Sequence, residues 1–471
     1  MSLFTPPIPQ PFPDNTPWHR RFREALRSAI GMLRAGGYEA GVGRHKLPRL
    51  PGTKQRYSYT VRDPAVMREV LVERAADFPK SRLMYNMLAP LIGNSVFVSN
   101  GATWRKQRDM IDRAFEQARL RDVFPKMRDA ADALCLRLDQ SAAGDGPKGG
   151  EVTFDAEATH VAADIIFRTI FSETLDQATA DDLFETFEDF QGLAYAHGMM
   201  SLARIPMAIM PGRRRAWRKA RRMRKVLGDM LDRRIAGLAA GEQMPTDDIL
   251  ATLVQSVDPD TGEPVTRDAL LNEIAMLFLA GHETSAAGLA WTIYILSECP
   301  DIQERVRQEV EELLGTRQIE YSDIRDLPFC RDVFREALRL YPPLAVITRD
   351  TVQPECLGKR NADADSVLFV QTWSLQRNRE VWPNADAFDP DRWQCPYAKS
   401  AQRQAYLPFS LGPRVCVGAG FAMLEATLLI ATITRNYKIK MITDNPAPIP
   451  TARLTLRSSN KIRVHLERIV N

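Results

Sequence analysis

Cysteine is scarce in this chain: six in 471 residues, at positions 135, 299, 330, 356, 395 and 416. No two have C-x-x-C spacing, which excludes a zinc knuckle or a thioredoxin-like motif. Nothing marks the six as a disulfide framework, so a reducing cytoplasm is the simplest setting. A dominant charge is lacking too. Lys and Arg number 63 against 59 Asp and Glu, a formal net charge of +4. That balance argues against a nucleic-acid partner. No run of about 20 apolar residues is present to span a bilayer. The first residues carry no charged-then-apolar leader. The expectation is a soluble cytoplasmic monomer without a transmembrane anchor. No internal repeat and no long linker divides the sequence. One domain over residues 1–471 is therefore expected, with the Pro-rich residues 1–17 as an extended arm.

What is present reads mostly as helix. Residues 18–34 place Leu26, Ile30 and Leu33 among arginines, the pattern of a basic amphipathic helix. It would dock on the protein's own body, with peripheral membrane contact as the alternative. Tyr57 to Val61 reads as a strand, and Asp63-Pro64 opens a helix running to Glu73. Residues 82–98 are apolar but broken by Pro90 and Gly93, which suits an adaptable loop on an apolar space or one packed on the core. Helix follows over 101–118, with Trp104 and Arg108 on one face, and again through 119–240. The basic run at 213–225 reads as a solvated helix face or a dock for an acidic partner. The longest apolar pattern, Ala269 to Leu296, is apolar nearly all round and belongs in the centre of the protein. A helix over 329–340 stops at Pro342-Pro343. Short strands are expected at 367–372 and 461–465. The fold class is mainly α (α+β), a helix-rich body with a smaller β-rich part.

Chemistry concentrates in three places. Phe409-Ser410-Leu411-Gly412-Pro413-Arg414-Val415-Cys416-Val417-Gly418 puts one thiol in a loop just before an apolar helix. Unsatisfied N–H groups and the helix dipole favour a thiolate there, as a nucleophile or metal ligand. A buried structural cysteine is the plainer alternative. The central helix carries Ala280-Gly281-His282-Glu283-Thr284-Ser285, a polar island that is costly to bury without partners. Gly281 and Thr284 permit a local opening of the helical ladder, and an acid beside an alcohol suits proton delivery into an apolar site. A kink with a packed Thr is the alternative. Glu336 and Arg339, three apart, are spaced for an ion pair, and Arg392 lies in a Pro-bounded loop.

Taken in order, Trp104…Arg108, Ala280-Gly281-x-Glu283-Thr284, Glu336-x-x-Arg339, Pro390-x-Arg392-Trp393 and the Cys416 loop resemble the cytochrome P450 superfamily, the haem-thiolate monooxygenases. The resemblance runs from about Tyr57 to the end. It implies haem b with Cys416 as the axial thiolate, whose electron donation favours O–O cleavage. It implies that Phe409 and Gly418 adjoin the haem, and that Trp104, Arg108, Arg349 and Arg414 hold the propionates. Glu336, Arg339 and Arg392 would form a supporting triad. Gly281, Glu283 and Thr284 would serve oxygen activation, with His282 as neutral scaffolding. The substrate pocket would include Leu83, Met84, Met87, Leu88, Ala280, Leu344, Val346, Ile347 and Leu454. Gln376 departs from the family, which often has His there, and puts one haem-edge contact in doubt. Electrons from NAD(P)H would arrive through a separate ferredoxin or flavodoxin and its reductase. That partner would dock on the basic run or near Arg105, Lys106 and Arg403. The implied reaction inserts one atom of O2 into an apolar substrate. An H2O2-driven peroxygenase or decarboxylase and a non-catalytic haem sensor are the alternatives.

Overall fold

In the computed structural model, residues 3–469 are described, except 32, 40, 49–51, 53, 143–148, 175–176 and 443–445. The central element is the helix Arg267–Glu298. The Thr266 side chain caps it by accepting from Ala269 N, which satisfies one of the free N–H groups of the first turn. Its apolar circumference is buried on all sides, as the pattern predicts. Two glycines set how closely its neighbours approach. A Cβ on Gly281 would lie 2.4 Å from Ile166 Cδ1 of the helix Phe154–Phe171, and one on Gly288 would lie 3.1 Å from Phe334 of the helix Pro328–Leu340. The expected opening at Gly281 and Thr284 is absent, and the helix runs unbroken. Thr284 Oγ1 donates to the Ala280 carbonyl at 2.6 Å, a bond made inside the ladder without displacing it.

Strands form small sheets beside the helices. One has four strands in the order Val42–Lys46, Tyr57–Val61, Val367–Val370, Ile347–Asp350. Its first pair is antiparallel with Val42 opposite Val61, and Ser58 pairs Val367 in parallel. Gly150–Thr153, Arg463–Arg468 and Tyr437–Met441 make a three-stranded sheet. The expected strands at 367–372 and 461–465 are thus present with shifted ends. The mainly α expectation holds. Among the described residues no helix is long and apolar enough to cross a membrane.

Three local expectations fail for visible reasons. Residues 82–98 begin with a helix, Arg82–Ile92, not a loop. Ser81 caps it, Pro90 falls in its last turn, and Gly93 closes it at φ +53°. The supposed breakers therefore mark an end. The 18–34 helix stops at Ala25, because Ala29 N is drawn to the Ala452 carbonyl at 2.7 Å. The 101–118 helix ends at Ala114 and a new one starts at Gln117. The extended arm is seen from residue 3, residues 1–2 lying outside those described. It is tied down by Phe388 N to Phe4 O and Tyr341 Oη to Pro7 O, both 2.8 Å.

A buried ionic network joins the helix Pro328–Leu340 to the loop-rich segment that leads toward Cys416. Arg339 Nη2 and Arg392 Nε reach Glu336 Oε1 at 2.8 and 2.7 Å, and all three side chains are fully buried. Arg339 also donates to the carbonyls of Gln376, Ala385 and Ala387, and Arg392 to that of Pro383. Glu336 thus anchors two cations that hold otherwise unpaired loop carbonyls. Gln376 belongs to this scaffold: it donates to the carbonyls of Leu338 and Arg339 and accepts from Leu407 N. Glu336→Ala strands two buried guanidinium groups and should cost about 3–5 kcal/mol in denaturant unfolding. A loss under about 1 kcal/mol, the range of an exposed pair, would show that the network does not support the loop.

Candidate active site

One cavity of about 1140 Å³ lies between the central helix and the Cys416 loop. The loop is held rigidly. Cys416 N donates to Phe409 O at 2.9 Å, and Val415 N to Gly412 O at 3.0 Å. Gly412 has φ +70°, and a Cβ there would sit 2.1 Å from the Leu71 carbonyl, so only glycine fits. Arg108 Nη1 donates to the Val415 carbonyl at 2.7 Å and pins the residue before the thiol. Cys416, Phe409, Gly418, Trp104, Arg108, Arg414, Ala280, Gly281 and Thr284 all line this cavity. So do Leu83, Met84, Met87, Leu344, Val346, Ile347 and Leu454.

Leu88 does not line it and is buried in the core. At about 100° per residue, Leu83, Met84 and Met87 share one arc and Leu88 turns past its edge. Arg349 also stands behind the wall, 2% exposed. Glu283 is not on the wall either. Its Oε1 accepts from Gln191 Nε2 at 3.0 Å, Thr455 Oγ1 at 2.7 Å and Arg457 Nε at 3.0 Å, while Oε2 accepts from Arg457 Nη2 at 2.7 Å. Burial opposes ionisation of Glu283, but the Arg457 charge and these bonds win and hold its carboxyl down at about 2. Adjacent positions on one helix face about 100° apart. The acid therefore meets Arg457 while the alcohol meets the cavity. His282 is fully buried; burial pushes its imidazole down, and Nδ1 sits 2.6 Å from Phe278 O. This agrees with neutral scaffolding.

The electrostatics near the thiol are one-sided. Arg414 lies over the Trp104 ring at 4.0 Å and donates to Ser99 O and Asn100 Oδ1. Burial, with Arg349 and Arg108 close by, pushes its guanidinium down to about 9. Burial alone brings Arg349 to about 10. Lys80, a cavity residue that sequence reasoning missed, is pushed well down by burial and by Arg349 and Arg414. Nothing in its local sequence distinguishes it. Among the described residues no carboxylate pairs with Lys80, Arg349 or Arg414. Cys416 is exposed on the cavity wall. Bound to a metal there, its thiol would be deprotonated outright.

These features fit haem. Among the described residues no group of three or more His, Cys, Asp or Glu is placed to hold a metal ion. An iron bound at Cys416 would have to bring its other ligands with it. A flat apolar macrocycle bearing two carboxylates also answers the apolar walls and the unmatched cations. The sequence model described as Cytochrome P450 matches residues 52–465. The chain belongs to the cytochrome P450 family. As a member it is a haem-dependent monooxygenase. The chain is 30% identical over 392 residues to cyclooctat-9-en-7-ol 5-monooxygenase of Streptomyces melanosporofaciens, covering 82% of this chain and 81% of the relative. It is 30% identical to cyclooctatin synthase of the same organism, over 84% and 82%. Against the protein LUTEIN DEFICIENT 5, chloroplastic, of Arabidopsis thaliana, the identity is 27% over 86% and 69%. The cytochrome P450DA haem domain has the same fold, with a TM-score of 0.75 at 22% identity over 91% of this chain and 89% of that one.

The Glu283–Arg457 pair has a pH signature. The folded-state value of Glu283 lies below the ordinary carboxyl range. Its stabilisation is therefore complete above that range and is lost as pH falls toward 2. Arg457→Gln should cost about 3–5 kcal/mol at neutral pH and flatten the acid loss of stability, read from unfolding midpoints across the acid range. Equal acid slopes in both proteins would contradict the assignment.

Proposed function

We propose that this P450 inserts one oxygen atom from O2 into an apolar organic substrate, with Cys416 as the haem ligand and Thr284 as the cavity alcohol. The observation that carries the reading is that the Cys416 thiol and the Thr284 hydroxyl lie on the wall of the same, mostly apolar cavity. Haem bound through Cys416 would supply the O2 chemistry, one atom entering the substrate and the other leaving as water. Arg108, Arg414 and Lys80 would hold its carboxylates, with Arg349 adding positive charge from behind the wall, and Trp104 would lie against Arg414. Phe409 and Gly418 would adjoin the ring.

Thr284 holds a hydroxyl proton at Oγ1, anchored on Ala280 O, where it can donate into the cavity by rotation. Leu83, Met84, Met87, Leu344, Val346, Ile347 and Leu454 exclude water and orient the substrate, a fatty acid, terpenoid or hydrocarbon by their character. The cavity Thr favours the O2 reading over a peroxide-driven one. Glu283 acts at a distance, fixing the helix at Thr284 through its ion pair.

Electrons would come from NAD(P)H through a ferredoxin or flavodoxin and its reductase, with the chain working as a cytoplasmic monomer and a single domain. Arg105 and Arg403 are exposed candidates for that contact. Lys106 is committed to Asp258 and Asp260. Of the basic run, Arg215 and Lys219 pair with Asp189, and Arg222 with Asp182, which favours a solvated face there.

Titrating the ferric protein with a panel of apolar compounds should displace iron-bound water and shift the haem spectrum; no response across the panel would argue against an apolar substrate. With a responding compound, Thr284→Ala should lower product per NAD(P)H on the order of tenfold or more and release peroxide. Unchanged coupling would remove Thr284 from the mechanism.

A further inference from the structure

The acid adjacent to Thr284 in sequence is committed elsewhere. Glu283 is ionised, bound by Arg457 and off the cavity wall. A second buried acid is in the opposite condition. Glu425 lies on the helix Ala419–Asn436 that follows the Cys416 loop, and is 1% exposed. Its Oε2 lies 2.7 Å from Ser285 Oγ. Ser285 follows Thr284 and lines the cavity. Glu425 Oε1 has no hydrogen-bond partner, and among the described residues no cation pairs with either oxygen. Burial pushes this carboxyl up to about 8, against the pull of Ser285. A buried carboxylate with one partner is costly, and a neutral acid much less so.

We propose that Glu425 and Ser285 form a proton-holding pair that serves the cavity beside Thr284. The 2.7 Å contact works in either direction. With Glu425 protonated at Oε2, its O–H donates to Ser285 Oγ, and the Ser285 hydroxyl is free to point into the cavity. As Ser285 releases its proton there, it takes the one from Glu425. The resulting carboxylate then accepts the Ser285 hydroxyl, the arrangement that the geometry also permits. Ser285 Oγ loses one O–H bond and gains another, Glu425 Oε2 loses one, no electron is transferred, and water restores the Glu425 proton by the reverse path. Glu425 acts through Ser285 and is a positioning residue. The inference rests on the monooxygenase reading, because reduction of one oxygen atom to water consumes protons.

The test uses the holoenzyme and three variants: Glu425→Gln, Ser285→Ala and Ser285→Thr, the last keeping a hydroxyl. Infrared spectra of the resting protein at neutral pH should contain a protonated-carboxyl C=O stretch that disappears in Glu425→Gln and moves in Ser285→Ala. With the panel compound that gives the largest ferric spectral change, product per NAD(P)H should fall on the order of tenfold in Glu425→Gln and Ser285→Ala, with a larger solvent deuterium isotope effect. Ser285→Thr should restore both. Absence of that band in the wild type overturns the proposal. So does wild-type coupling in Ser285→Ala with an unchanged isotope effect. If Glu425→Gln fails to load haem, Ser285→Ala and the infrared band decide. Failure of the monooxygenase reading is distinct: the wild type then yields no product, while the band still reports whether Glu425 is protonated.

Discussion

The site depends on a cysteine held still. Cys416 sits at the end of a loop whose backbone turns back on itself through Phe409 O and Gly412 O. Gly412 lies against the Leu71 carbonyl with no room for a Cβ. Arg108 grips the loop carbonyl at Val415. Farther back, Glu336 binds Arg339 and Arg392, whose remaining donors hold the carbonyls of the segment before the loop. Each contact removes a freedom that a metal ligand cannot keep, since a ligand that moves loses the orientation its chemistry needs.

Charge is sorted around that fixed point. A surplus of cations without carboxylate partners among the described residues lies on the thiol side, at buried Arg349 and half-buried Lys80 and Arg414. Such charge is tolerated where an anion completes it, and a dianionic prosthetic group would do so. Acids are sorted as well. Glu283 is ionised in a closed pair with Arg457, and Glu425 is buried without a cation. The two acids meet the same stretch of the central helix in opposite settings, one closed in an ion pair and one bound by a serine hydroxyl alone. That divergence is the usual sign of an acid kept ready beside one kept fixed.

Much of this was legible in the sequence, and the remainder has identifiable reasons for being hidden. The central helix announces itself through apolar residues on every face. The Cys416 loop does so through Gly412, Pro413 and Gly418. Glu336, Arg339 and Arg392 look ordinary one by one and gain meaning only from their order. Pro90 and Gly93 misled because a proline in a last turn and a glycine at a cap look like breaks in the middle of a segment. Lys80, Arg457 and Glu425 carried no local signal. Arg457 meets Glu283 across 174 positions and Ser285 meets Glu425 across 140, and such contacts exist only after folding. The direction of Glu283 was hidden for the same reason: adjacency in sequence does not tell which face of a helix meets a cation.

The chemistry of the site turns on Cys416 supplying a thiolate to haem iron. The most direct measurement is the spectrum of the reduced protein under carbon monoxide, for the wild type and Cys416→Ala. The wild type should give the red-shifted Soret band of a thiolate-bound ferrous–CO adduct, and the variant should lose it. A variant that retained that band would contradict the assignment of the ligand and the reading built on it.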